Sequence, residues 1–169
     1  MAQELEPNDI SPFTADVFLK ETLSAHEGVA ALVGDRIAPA LDGFEPSELV
    51  DENAAPEMAW PYVLFGEDGD SQLNTYSTDL VLKRSEFLVR AFMREDIADA
   101  RGLYFENVAA NIQRQLALAL QGVADAEIGG EWGGSIHECQ LLPQAHRAAY
   151  GERGRRICEM GIRVRITTT

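Results

Sequence analysis

The sequence has few basic residues, few cysteines and no long apolar run. Among its 169 residues, 14 are Lys or Arg and 28 are Asp or Glu, which gives a formal net charge of -14. Proteins that grip a nucleic-acid backbone need clustered cations, so that class is disfavoured. No stretch approaches the roughly 18 apolar residues of a membrane-spanning helix, and the N-terminus is acidic where a signal peptide is basic. We therefore expect a soluble protein without membrane contact.

The two cysteines are too few for a disulfide framework and favour a reducing compartment. Cys139 and Cys158 pair only if the fold brings them together. Together with His137 and His146 they could instead bind zinc, because strand positions two apart share a face. That ligand set is incomplete, since Cys158 falls on the predicted core face, where a cysteine acts as a small hydrophobe.

Familiar sequence signatures of catalysis are also missing from the chain. It contains no G-x-S-x-G, no phosphate-binding G-x-x-x-x-G-K-[ST], no H-E-x-x-H and no G-x-G-x-x-G motif. Acidic pairs are frequent, but with 28 acidic residues such pairs arise by chance. We therefore predict no catalytic residue, no metal and no cofactor.

Charge is distributed unevenly along the chain. Residues 1–82 contain 17 acidic and two basic residues, whereas residues 83–169 contain 11 and 12. The C-terminal segment is locally positive through Arg153, Arg155, Arg156, Arg163 and Arg165. Such segregation suits heterologous contacts, in which one surface of a subunit meets a different surface of its neighbour.

The apolar spacing predicts an α+β fold: a mixed, mainly antiparallel sheet of four to five strands, covered on one face by helices. An acidic, flexible arm over residues 1–10 precedes a single domain over 11–169. The first predicted helix has Ser11 as its N-cap, Pro12 in its first turn and an apolar stripe from Ala15 to Leu23. The other predicted helices are Glu27–Leu32 and one long helix from about Asp96 to Gly122. The predicted extended segments are Arg36–Pro39, Trp60–Phe65, Leu80–Arg94, Ile136–Ala148 and Arg153–Thr168, the last two joined near Tyr150 and Gly151. In the last segment Arg163 and Arg165 lie on one face, and the other face is apolar: Cys158, Met160, Ile162, Val164 and Ile166. Residues 40–60 and 66–79 are expected to be loops or insertions.

Two short motifs and the order of elements carry a resemblance to a known family. Residues Ala31–Ile37 read ALVGDRI and Pro61–Val63 read PYV. Over about residues 13–167 the chain resembles the tail terminator, or tail completion, family of long-tailed bacteriophages. The resemblance implies a non-enzymatic virion protein, assembled in the host cytoplasm. Such a protein forms a six-membered ring that caps the tail tube, stops its polymerisation and presents a joining surface to the neck or head connector.

The charge pattern supplies a hypothesis for the contacts of that ring. The arginines Arg153, Arg155, Arg156, Arg163 and Arg165 would meet Glu67, Asp68 and Asp70 of the neighbouring subunit. Acidic side chains facing the bore would repel DNA, so that the genome passes without specific binding. The long acidic loops are predicted to contact the tube or neck proteins, because loops on a rigid scaffold often carry recognition.

Other functions remain open from the sequence. Within the virion, the chain could be another neck or connector subunit, or a tail-tube subunit. A small metal-dependent enzyme would use His137, Cys139 and His146 as ligands. An acidic adaptor module would be a monomer or small dimer in solution.

Overall fold

A computed structural model describes residues 14–40, 60–69, 72–77, 80–125, 136–152 and 154–168. The helices are α1 (Thr14–Ala25), α2 (Glu27–Val33), α3 (Glu95–Ala100) and α4 (Phe105–Asp125). The strands are β1 (Ile37–Pro39), β2 (Tyr62–Glu67), β3 (Gln72–Ser77), β4 (Leu80–Arg94), β5 (Ile136–Glu152) and β6 (Arg155–Thr168). Most of the predicted 40–60 loop and the whole 1–10 arm lie outside the described residues.

The strands form one mixed sheet in the order β1-β2-β4-β6-β5. β3 also pairs with β4, and it lies on the side away from β6, because Lys83 and Arg84 each have a partner in both strands. Only the β1–β2 pair is parallel. The predicted α+β class with a mainly antiparallel sheet is therefore confirmed, with six strands instead of four to five.

The main core lies between one face of the sheet and helices α1, α2 and α4. Alternation along β4 directs Phe87, Val89 and Ala91 toward this core, where Leu19 of α1 and Leu116 of α4 are also buried. On β6 the predicted apolar face is buried as well, comprising Cys158, Met160, Ile162, Val164 and Ile166. The helices therefore cover one face of the sheet, as the periodicity predicted.

A second cluster lies at the Arg94 end of β4. The rings of Tyr62 and Phe92 are stacked with centroids 4.9 Å apart, and Trp60 tilts against Tyr62 at 4.7 Å. The Arg94 guanidinium lies 5.7 Å from the centre of the Trp60 ring and forms two hydrogen bonds to Asp96, at 2.6 and 3.0 Å. These contacts fix the point at which β4 turns into α3.

Two predicted elements require correction. The long helix is divided into α3 and α4, because Gly102 adopts a left-handed φ of +69° between them. The segment 66–79 is not all loop: β2 continues to Glu67, and residues 72–77 form β3. Alternation in this short polar strand is weak, so composition alone gave no strand signal.

The last two strands form a long hairpin. Glu152 pairs with Arg155, so the hairpin turn follows Glu152 instead of lying near Tyr150 and Gly151 as predicted. Gly154 in this turn has a φ of +76°, a conformation that residues with a Cβ rarely adopt. The hairpin therefore carries the predicted basic segment at the end of the sheet nearest α3.

Candidate assembly surface

The predicted ring-contact arginines of β6 lie on two different parts of the surface. Arg163 and Arg165 project from the face opposite α4, where they are partly exposed. Arg155 and Arg156 are exposed at the start of β6. Arg153 and the acidic partner Asp70 lie outside the described residues.

Several of these charges already have partners in the same chain. Arg163 pairs with Asp68, and Arg165 donates to Glu86 directly across the β4–β6 ladder, with 2.9 Å between Nη2 and Oε1. Arg156 donates to Glu95 over 2.9 Å. The predicted pairing of Arg163 with Asp68 therefore forms within one subunit, and neighbours are not needed to bring these two charges together.

The remaining predicted acid, Glu67, lies beside a groove between α1 and the end of β2. Its carboxylate is 3.6 Å from the Lys83 ammonium. The groove has a volume of about 750 Å³, and Asp16, Lys20 and Phe65 are among its lining residues. Burial, and then the charge of Glu67, raise the pKa of Asp16 above its usual value. The groove thus brings Asp16, Glu21 and Glu67 together with Lys20.

Sequence reasoning missed a buried ionic cluster on the sheet face opposite α4. Glu159 is 7% exposed, and its Oε1 accepts a hydrogen bond from Arg90 Nη1 at 3.0 Å and lies 2.7 Å from His146 Nε2. The Arg90 guanidinium also lies 5.2 Å from the centre of the Phe92 ring. The cluster joins β4, β6 and β5, so it fixes their relative register. Its only sequence signal is that Glu159 occupies the same face of β6 as Arg163.

The residues considered for a zinc site are not brought together. Cys139 pairs in register with Ile166, and Cys158 with Ala149. Eight residues of β6 therefore separate the two cysteines, about 26 Å along a strand. Both are free thiols, and no group of three or more potential metal ligands occurs within the described parts of the chain. Burial raises the pKa of Cys139 to about 12, which keeps the thiol protonated and a poor metal ligand.

Both lateral sides of the sheet end in strands that pair on one side only. β5 pairs with β6, while β1 pairs with β2 and β3 with β4. Among the residues that the structure describes, no further strand continues the sheet on either side. An open strand edge is a template for pairing with another chain. The two sides are different in sequence, as a head-to-tail contact requires.

No family model matches the chain, and no curated protein matches it either. Within the described helices, none combines the length and the apolar character needed to cross a membrane.

Proposed function

We propose that this chain is a tail-terminator-type structural subunit of a phage virion. Its ring caps the tail tube, stops tube polymerisation and presents the joining surface for the neck or head connector. The motif resemblance at Ala31–Ile37 and Pro61–Val63 supports this function, as does the α+β fold. Polymerisation stops because one face of the ring copies the docking surface of a tube subunit and the opposite face does not.

The observation that carries the proposal is that, within the described residues, the sheet has open edges of different sequence on its two sides. A closed ring needs a heterologous contact, in which surface A of each subunit binds surface B of the next. A subunit with two different open strand edges has such a pair of surfaces at opposite ends of one rigid sheet.

The charge distribution supports passage of DNA through the ring. Residues 1–82 contribute most of the negative charge, and the groove beside Asp16 and Glu67 concentrates part of it. A bore lined by carboxylates binds no phosphate and repels the duplex at short range, within a Debye length of about 8 Å at physiological salt. The genome would then slide through without being held.

The test is assembly in the presence of the tube protein encoded with this chain. We expect negative-stain electron microscopy to show a six-fold ring at one end of each tube, and native mass spectrometry to detect six copies per ring. Tubes grown without the chain should be longer and more variable in length. Unchanged tube lengths and bare tube ends, with the chain monomeric throughout, would refute the proposal and favour an adaptor module.

A further inference from the structure

Among the described residues β3 is an edge strand that lacks charged residues and proline, and its register shift lies near its end, between Thr75 and Ser77. Natural edge strands are blunted by charged residues, proline or bulges. β1 ends in Pro39, and β5 contains register shifts between Ile136 and Glu138 and between Leu141 and Ala145, the second of which includes Pro143. In contrast, β3 reads Gln-Leu-Asn-Thr-Tyr-Ser, with no charge and no proline, and its Leu73 is 69% exposed. A single exposed leucine is common on protein surfaces, but on an edge strand without charge or proline it offers an apolar contact to an added strand.

The matching surface on the other side of the sheet is the first part of β5. Before its second register shift this strand offers six residues, Ile136–Leu141, of which Glu138–Leu141 follow the first shift, and β3 also has six. The strands β3, β4, β6 and β5 are each antiparallel to the next. A second copy placed beside the first in the same orientation therefore presents its β3 antiparallel to β5. The alternation of strand directions continues across the boundary without interruption.

The side chains at the two edges are also compatible with pairing. Leu73, Lys83, Thr168 and Ile136 are register partners in one row across the sheet, so Leu73 lies on the helix-covered face. On that face β5 contributes Ile136 and Cys139 to the core, with Leu141 partly buried against it. A neighbour's Leu73 beside β5 would extend this apolar row, and no charge on β3 opposes Glu138 of β5.

We propose that β3 of one subunit adds antiparallel to Ile136–Leu141 of β5 in a second copy, and that this strand pairing is the lateral contact of the ring. The inference rests on the proposed ring function and names its interface. Backbone hydrogen bonds supply the affinity, as in other cases of strand addition, and Leu73 supplies an apolar anchor. Because the two edges differ and lie on opposite sides of each subunit, the contact can repeat from one subunit to the next, and a turn of one sixth of a circle at each contact closes the ring.

Cysteine cross-linking tests the contact directly. Gln72 and Glu138 lie in one row on the face opposite α4, and Gln140 shares that face. Within one chain, β3 and β5 are separated by three strand spacings, about 14 Å, which is too far for a disulfide between them. We therefore expect Gln72→Cys with Glu138→Cys, or Gln72→Cys with Gln140→Cys, to give a ladder of covalent oligomers up to six on a non-reducing gel. The control pair, Gln72→Cys with Ala148→Cys, lies beyond the register shift and should give none.

A charge substitution supplies the second test. Leu73→Glu should leave the melting temperature of the subunit unchanged, since the side chain is exposed, but should reduce assembly at least ten-fold by native mass spectrometry. Leu103→Glu is the matched control: Leu103 is 48% exposed between α3 and α4, at the Arg94 end of β4 and so at the opposite end of that strand from β3, and the variant should assemble normally. Assembly of Leu73→Glu like that of the wild type would overturn the contact.

The outcomes separate this inference from the proposed function. Six-membered rings without cross-links from either β3–β5 pair would overturn the strand contact and leave the ring intact. Monomers without cross-links, both free and in the presence of growing tubes, would overturn both proposals. Covalent ladders together with capped tubes would support both.

Discussion

Gly161 lies in the middle of the sheet, at a position where no larger residue fits. It is buried in β6 opposite Arg90 of β4. A Cβ built on Gly161 would lie 2.6 Å from the carbonyl oxygen of Val89 and 3.0 Å from Cγ of Arg90. The Gly161 carbonyl also accepts a hydrogen bond from Gln113 of α4 at 2.7 Å. β6 is therefore held close to β4 on one side and to α4 above it.

The cost of Gly161→Ala follows from this geometry. The contact at 2.6 Å is to backbone of a central strand, so β4 and β6 must separate by several tenths of an ångström to relieve it. Overpacking of this kind costs about 2 to 3 kcal/mol. Alanine also reduces the conformational entropy of the unfolded chain, which stabilises the folded state by about 0.5 to 1 kcal/mol. We expect Gly161→Ala to lower the free energy of unfolding by about 1 to 2 kcal/mol.

Gly151→Ala is the matched control on the neighbouring strand. There the added Cβ meets nothing nearer than the Arg155 carbonyl oxygen at 3.9 Å, so only the effect on the unfolded chain remains. Urea unfolding of both variants should give a difference of about 2 to 3 kcal/mol between them, with unchanged m-values. A difference below about 0.5 kcal/mol would refute the close approach of β4 and β6 at this position.

Two further predictions concern the Arg94–Asp96 ion pair and the two buried thiols. Burial raises the pKa of the Asp96 carboxyl, but the hydrogen bonds and the charge of Arg94 outweigh burial, so the pKa is lower overall than its ordinary value. The ion pair therefore stabilises the folded protein above the ordinary carboxyl pKa. This stabilisation is lost as the pH falls through the pKa of Asp96 in the folded state. Asp96→Asn should therefore cost about 1 kcal/mol at pH 7 and progressively less as the carboxyl becomes protonated at low pH, measured by thermal unfolding over a pH series. An equal loss at every pH would contradict the ion pair. Burial raises the pKa of the Cys139 thiol to about 12 and also raises the pKa of the Cys158 thiol. At pH 8 we therefore expect neither thiol to react with a thiol reagent in the folded protein, and both to react after unfolding. Rapid labelling of the folded protein would place a cysteine outside the core.

Much of the fold could be predicted because its longest elements have strong periodicity. The predicted limits of Leu80–Arg94 agree with β4, since its apolar alternation continues to the point where Glu95 begins a helix. α2 ends at Gly34, where a φ of +58° allows the chain to leave the helix, as the sequence indicated. In both cases local chemistry and tertiary packing favour the same conformation.

The errors arose where tertiary contacts decided the local structure. Residues 72–77 lack apolar alternation and become a strand only because β4 supplies backbone partners. Between α3 and α4 the apolar spacing continues, so the pattern gave no sign of a break apart from Gly102, whose cost in a helix is only about 1 kcal/mol. Packing of Phe105 into the second cluster favours the bent arrangement.

The candidate surface was predictable in part. Alternation along β6 correctly assigned Arg163 and Arg165 to the polar face, but sequence does not show which acid lies across the strand. Register places Glu86 opposite Arg165, a pairing 79 residues apart along the chain. An open strand edge is a property of topology, so no residue pattern in β3 or β5 could indicate it before the strand order was known.

The two possible sources of ring affinity, arginine charge and strand pairing, differ in their dependence on salt. Arg156 is exposed, donates to Glu95 and lies 5.3 Å from the centre of the Phe105 ring, while Arg155 beside it is exposed. The double variant Arg155→Glu with Arg156→Glu should lower subunit stability by at most about 1 kcal/mol, since exposed ion pairs contribute little. If these charges also bind a neighbour, the variant should weaken assembly strongly at 20 mM salt and much less at 500 mM, because screening removes such contacts.

Strand pairing predicts a contact that depends little on salt. Backbone hydrogen bonds and an apolar anchor are screened weakly, so the uncharged substitution Leu73→Ser should weaken the ring equally at low and high salt. Native mass spectrometry after equilibration at both salt concentrations measures the two variants side by side. If the double arginine variant forms rings like the wild type at 150 mM salt, the arginines are not ring contacts. The lateral contact then rests on the strand edges alone.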